Sequence, residues 1–147
     1  MEVIVAKTDI WVLRLETGEE LITELQQFVR KRRIGGAWFL AIGAVDDVEI
    51  AFYDLKKGKY VHRRFRSRME ILNVTGNIAL RRRSGQAKKE GDIVVHAHGI
   101  FGKPNYQTVG GHIVRCRISA TCEIYFKKLP PLRRKPDGKS GLYILKP

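Results

Sequence analysis

The chain has 147 residues, 44% of them hydrophobic, which suits one globular domain and leaves little room for a second. It carries a net charge of +13, and the excess is uneven: residues 1–54 hold six Lys/Arg against ten Asp/Glu, residues 55–147 hold 22 against five. No apolar run approaches the roughly 18 residues of a membrane span, and the N-terminal segment, broken by Lys7 and Arg14, does not read as a secretory signal, so a cytoplasmic protein is expected.

Ile10 to Leu15 alternate as in a strand, and Thr17-Gly18 is a turn. A helix should follow, capped by Thr17 or Gly18. Glu19 and Glu20 lie at its positive end, and Leu21, Ile22, Leu25, Phe28 and Val29 form one apolar stripe. Arg30–Arg33 complement the other end of the dipole and Gly35-Gly36 stops the helix. Strands are expected over Ala37–Ala44, Val48–Tyr53, Tyr60–Phe65, Met69–Leu80, Asp92–Ile100, Thr108–Val114 and Ile118–Phe126, with Gly76 a bulge or a point of close approach. The stretch 81–92 reads as a polar loop, residues 127–140 as a basic loop, and GLYIL as a short docking strand. One helix followed by many short-looped strands predicts a single α+β domain built on a curved, mainly antiparallel, barrel-like sheet.

Three of the four histidines fall within VVHAHGIFGKPNYQTVGGHI. On a strand, His96 and His98 face the same side. A reversal at Lys103-Pro104-Asn105 returns His112 beside them, and Gly110-Gly111 permits close backbone approach. That spacing fits an open three-histidine site for zinc or another divalent transition metal; a polar seam in the core fits it as well. Glu123, on a neighbouring strand, is open to three roles: fourth ligand, general base, or partner of an arginine. Glu70 is an equal candidate for a role at the histidines, and either carboxylate also reads as an ion-paired strand residue; His62, without a partner in sequence, reads as a surface or sheet residue. Cys116 and Cys122, six apart in β-like sequence, match neither a zinc spacing nor a disulfide framework. No nucleotide-binding loop and no serine-nucleophile elbow is present, so no nucleotide cofactor is expected.

The basic excess points to a polyanion held through phosphates, with a merely solvated basic surface as the alternative reading. Its candidate contacts are Arg63, Arg64, Arg66, Arg68, Arg81, Arg82, Arg83, Lys88, Lys89, Arg133, Arg134 and Lys135.

RLETGEELITELQQFVR, GAWFLAIGAVDDVEIAFYD, MEILNVTGNIAL, GDIVVHAHGIFGKPNYQTVGGHIV, ATCEIYF and GLYIL resemble, in order, the plants-and-prokaryotes-conserved (PPC) domain over about residues 10–145. The resemblance implies assembly into a homotrimer and a DNA-binding role, in a domain that also occurs in plant AT-hook proteins. The Arg-Gly-Arg-Pro core of an AT-hook is missing; RRKP at 133–136 lacks its glycine. The fold is similar to that of acetolactate decarboxylase, whose zinc-binding histidines would correspond to His96, His98 and His112. That enzyme also places a carboxylate and an arginine near its metal, roles for which Glu123 and Arg115 or Arg117 are candidates. A metal-dependent enzyme or small-molecule sensor is therefore the alternative to DNA binding.

Overall fold

The computed structural model describes residues 1–81 and 92–147. The order is β1 (Glu2–Lys7), β2 (Ile10–Glu16), α1 (Leu21–Lys31), β3 (Gly36–Asp54), β4 (Lys59–Phe65), β5 (Met69–Arg81), β6 (Asp92–Gly102), β7 (Thr108–Lys128), β8 (Arg133–Pro136) and β9 (Tyr143–Leu145). Every strand pairing is antiparallel except that of β5 with β8. Strand β3 pairs with β5, β5 with β6, β6 with β7 and β7 with β3, so these four form a closed cycle. The sheet curls into a part-ring with β1 and β9 at the ends of its path, which is the expected α+β class without full barrel closure.

Two pairs of expected strands are each one long strand, β3 and β7. Register shifts between Gly43 and Val45, Val45 and Asp47, and Glu49 and Ile50 let these strands bend without breaking. Strand β1, which was not expected, pairs with β2, and all six of its residues are exposed. Part of the expected basic tail loop is strand β8, laid parallel against β5.

Helix α1 buries Leu21, Leu25, Phe28 and Val29, so the apolar stripe faces the core as its spacing dictates. Phe28 meets Trp11 and Phe126 edge-on, with centroids 6.1 and 5.4 Å away. The cap is Glu20, not Thr17 or Gly18. Its carboxylate accepts from the Ile22 and Thr23 amides at 3.2 and 2.9 Å and from the Cys116 amide on β7 at 2.9 Å, a reach the Thr17 side chain lacks. The helix ends at Lys31, before the glycine pair, and just beyond its cap Arg33 takes a left-handed φ of 54°. Phe39, Phe101, Phe126, Leu13, Leu15 and Ile124 fill the centre, inside the curl.

On β3 the alternation is strict: Ala37, Phe39 and Ala41 point inward, while Trp38, Leu40 and Ile42 are exposed. Leu40 lies opposite Tyr125 of β7. With Leu72 of β5, also exposed, these side chains leave an apolar outer face on the sheet.

Candidate functional site

Strand β6 holds His96 and His98 on one face, and Ala97 between them is buried in the core. The chain reverses at residues 103–107, where Tyr106 N donates to Lys103 O at 2.8 Å and Lys103 N to Gln107 O at 2.8 Å. The reversal sets His112 directly across from His98, with Gly111 opposite Gly99 and Gly110 opposite Ile100. A Cβ on Gly110 would lie 2.9 Å from Gly99 O, and one on Gly111 3.0 Å from Ala51 O. Side chains at either position would crowd a neighbouring strand's backbone, which is why glycines precede the third histidine.

The three rings converge. Centroids are 5.1 Å apart for His96–His98, 5.1 Å for His96–His112 and 5.5 Å for His98–His112. One nitrogen from each lies within 4.8 Å of the others. Burial, then the charge of Arg134 and the other two imidazoles, pulls the His96 pKa down to about 4. Burial also lowers His112, followed by His98 and Arg134. Both rings are therefore neutral near pH 7, the state in which imidazole ligates a metal. The buried His112 Nδ1 has no hydrogen-bond partner among the described residues. Three converging imidazoles with an orphaned ring nitrogen among the described residues fit zinc or another divalent transition metal.

Tyr60 of β4 packs its ring 5.1 Å from that of His112. Asn77 of β5 lies opposite His96 and is buried. Beneath them lies Arg134, which the sequence reading placed among surface phosphate contacts. It is only 8% exposed; its Nη1 donates to Tyr143 O at 2.8 Å and its Nη2 to Asn77 Oδ1 at 2.9 Å. The reason is the alternation of strand β8: Arg133 and Lys135 point outward and Arg134 inward. Sequence reading missed Arg134, Asn77 and Tyr60 as neighbours of the histidines. GLYIL reads as a docking strand and does pair with β8, but nothing local in the sequence places β8 against β5.

Other candidates lie elsewhere. Glu123 is exposed eleven residues along β7 from His112, about 36 Å of strand, and is not among the converging groups. Glu70, on β5, lines a separate cleft of about 700 Å³ with Arg68, Leu72, Tyr106 and Ser119. His62 Nδ1 lies 2.7 Å from Glu49 Oε1. Arg115 and Arg117 turn away from the histidines to Asp47 and Asp46, at 3.2 and 2.8 Å.

Those two arginines belong to the basic surface. A cleft of about 520 Å³ is lined by Arg64, Arg66, Arg68, Arg115 and Arg117, with only Asp46 and Asp47 as counter-charge. Asp47, buried, accepts two bonds from Arg64 at 2.7 and 2.6 Å and one from Arg115. The Arg64 bonds hold its pKa down, to about 2, against the effect of burial. Arg66 and Arg68 are exposed and pair with no carboxylate among the described residues. Of the other expected contacts, Arg63 is exposed beside Phe65, and Arg81 pairs with Asp92 at 3.2 Å and stacks on Tyr143. Arg133 and Lys135 are exposed. Arg82, Arg83, Lys88 and Lys89 lie outside the described residues.

The chain matches the Plants and Prokaryotes Conserved (PCC) domain over residues 4–130. No curated protein matches it by sequence. Among solved structures it is similar to a "putative DNA-binding protein" from Ralstonia eutropha JMP134, at 28% identity and TM-score 0.82, covering 92% of this chain and 90% of that one. It is also similar to a metal-containing protein from Archaeoglobus fulgidus, at 28% identity and TM-score 0.83, covering 99% and 97%. Acetolactate decarboxylase from Bacillus subtilis subspecies spizizenii shares the fold at 11% identity and TM-score 0.54, over 84% of this chain and 54% of the enzyme. With the match spanning most of its length, the chain belongs to the Plants and Prokaryotes Conserved domain family.

Proposed function

We propose that this protein is a DNA-binding module that holds phosphates through its arginine cleft and works as a cytoplasmic homotrimer. The observation that carries this reading is the meeting of Arg64, Arg66 and Arg68 with Arg115 and Arg117 around two aspartates, one of them buried. Asp46 and Asp47 fix three guanidiniums in place, and Arg66 and Arg68 are left to meet an anion. The DNA-binding description of the Ralstonia relative supports the choice of polyanion. The outer apolar face of Trp38, Leu40, Ile42, Leu72 and Tyr125 supports self-association, because apolar side chains exposed together on one sheet face suit burial against a partner. Phosphate contacts carry little sequence information, so binding is sequence-tolerant and falls steeply with salt. Fluorescence anisotropy with duplexes of differing sequence, titrated with salt, tests this; strong base discrimination that survives high salt would contradict it.

The histidines favour a second role. His96, His98 and His112 would hold a zinc or other divalent transition metal, and the metal-containing Archaeoglobus relative supports that assignment. Such an ion supplies Lewis acidity, as for polarising a carbonyl. The chain's own residues do the rest: Tyr60 walls the site beside His112, and Arg134 keeps a permanent positive charge below it. Metal analysis of purified protein tests this reading independently of DNA.

A further inference from the structure

Arg134 is the one buried cation among the described residues, and it has no carboxylate partner among them. The contrast with Asp47 is direct: that buried carboxylate is met by two guanidiniums, whereas the Arg134 guanidinium meets only the neutral oxygens of Asn77 and Tyr143. Its buried Nε has no hydrogen-bond partner among the described residues. An ionised group taken out of water is costly to leave without counter-charge, so a buried guanidinium with an unused donor is a place for an anion. The two Nη bonds fix the guanidinium plane, and Asn77, which takes one of them, sits directly opposite His96. Tyr60, packed on His112, also has a hydroxyl without a hydrogen-bond partner among the described residues. At 8% exposure Arg134 is not placed as a surface contact for a duplex phosphate.

We propose that Arg134, Asn77 and Tyr60, together with the histidine trio, form a binding site for a small oxyanion, a carboxylate or an inorganic phosphate, anchored on the Arg134 guanidinium beside the metal-ligating imidazoles. This rests on the metal reading of the same histidines. It makes Arg134 a determinant of which ligand the site takes, separate from the surface arginines that face DNA.

The test uses the full chain loaded with cobalt(II), followed by visible absorption while acetate, and separately inorganic phosphate, is added. The proposal expects a saturable spectral change with at least one anion, and the one that responds identifies the chemistry. Arg134→Gln should keep its cobalt and weaken that affinity on the order of tenfold, the loss of a charge-assisted hydrogen bond. If Arg134→Gln fails to fold by circular dichroism, Arg134→Lys carries the test; it retains the charge, lacks the planar fork, and should weaken binding several-fold. Cobalt uptake with no saturable anion response, or with equal affinity in the variants, overturns the proposal alone. Failure to take up cobalt at all removes the metal reading and the proposal with it.

Discussion

His98 and His112 stand directly opposite each other on β6 and β7, their ring centroids 5.5 Å apart. The pairing makes the metal site a property of the hairpin register, because a one-residue slip would turn either ring to the other face of the sheet. His98→Ala should therefore abolish stoichiometric metal in protein purified from metal-replete medium while leaving the fold intact, since His98 is exposed. Elemental analysis beside circular dichroism checks both halves of the expectation.

Gly76 on β5 has no room for a side chain: a Cβ there would lie 2.5 Å from Phe39 Cζ and 2.8 Å from His96 O. Gly76→Ala should cost about 1–3 kcal/mol through forced displacement of the Phe39 ring or of β6. Denaturant unfolding measures the cost. Loss of metal affinity in the same variant would show that β6, which carries His96, has moved.

Asp47 makes acid stability a test of the arginine cleft. Its folded pKa is about 2, below the ordinary carboxylate value, because Arg64 and Arg115 favour the charged form. A depressed folded pKa contributes stability above the unfolded value of 3.8, and that contribution is lost as pH falls through the folded pKa. Melting temperature should therefore drop between about pH 4 and pH 2. Asp47→Asn should be less stable at neutral pH and show a flatter acid limb.

Cys116 and Cys122 are fully buried, and burial raises both thiols, that of Cys122 to about 12. An aromatic disulfide reagent should leave both untouched in the native protein and modify both after denaturation. Rapid labelling of the folded state would mean that β7 opens readily.

The outer face of β3 should decide assembly. Ile42, 58% exposed and between the apolar neighbours described above, is a position where a charge would oppose burial against a second copy. Ile42→Asp should shift a trimer to monomer in light scattering, with little change in the circular dichroism spectrum.

Much of this architecture is legible in the sequence because it rests on local periodicity. The stripe Leu21–Val29 faces inward as its spacing dictates, and the alternation of β6 puts His96 and His98 together. His112 was reachable because a hairpin turn and two glycines leave little freedom in where the chain returns. What was hidden depends on distant partners. The strands β3 and β7 look interrupted because bulges at Gly43–Ile50 break their alternation without breaking their pairing. Arg134 looked like one more basic tail residue because nothing local shows β8 docking on β5, more than fifty residues away in sequence. Glu20 outcompetes the expected caps because its carboxylate also serves Cys116 on β7.

The central claim, that the cleft around Asp46 and Asp47 holds nucleic-acid phosphates, is tested most directly by the salt dependence of duplex DNA binding in Arg66→Ala/Arg68→Ala. Neither arginine supports another side chain by an ion pair among the described residues, so the double variant should keep its melting temperature. If both contact phosphates, the slope of log affinity against log salt becomes shallower by about two relative to the parent. An unchanged slope and affinity would contradict the assignment of this cleft to DNA.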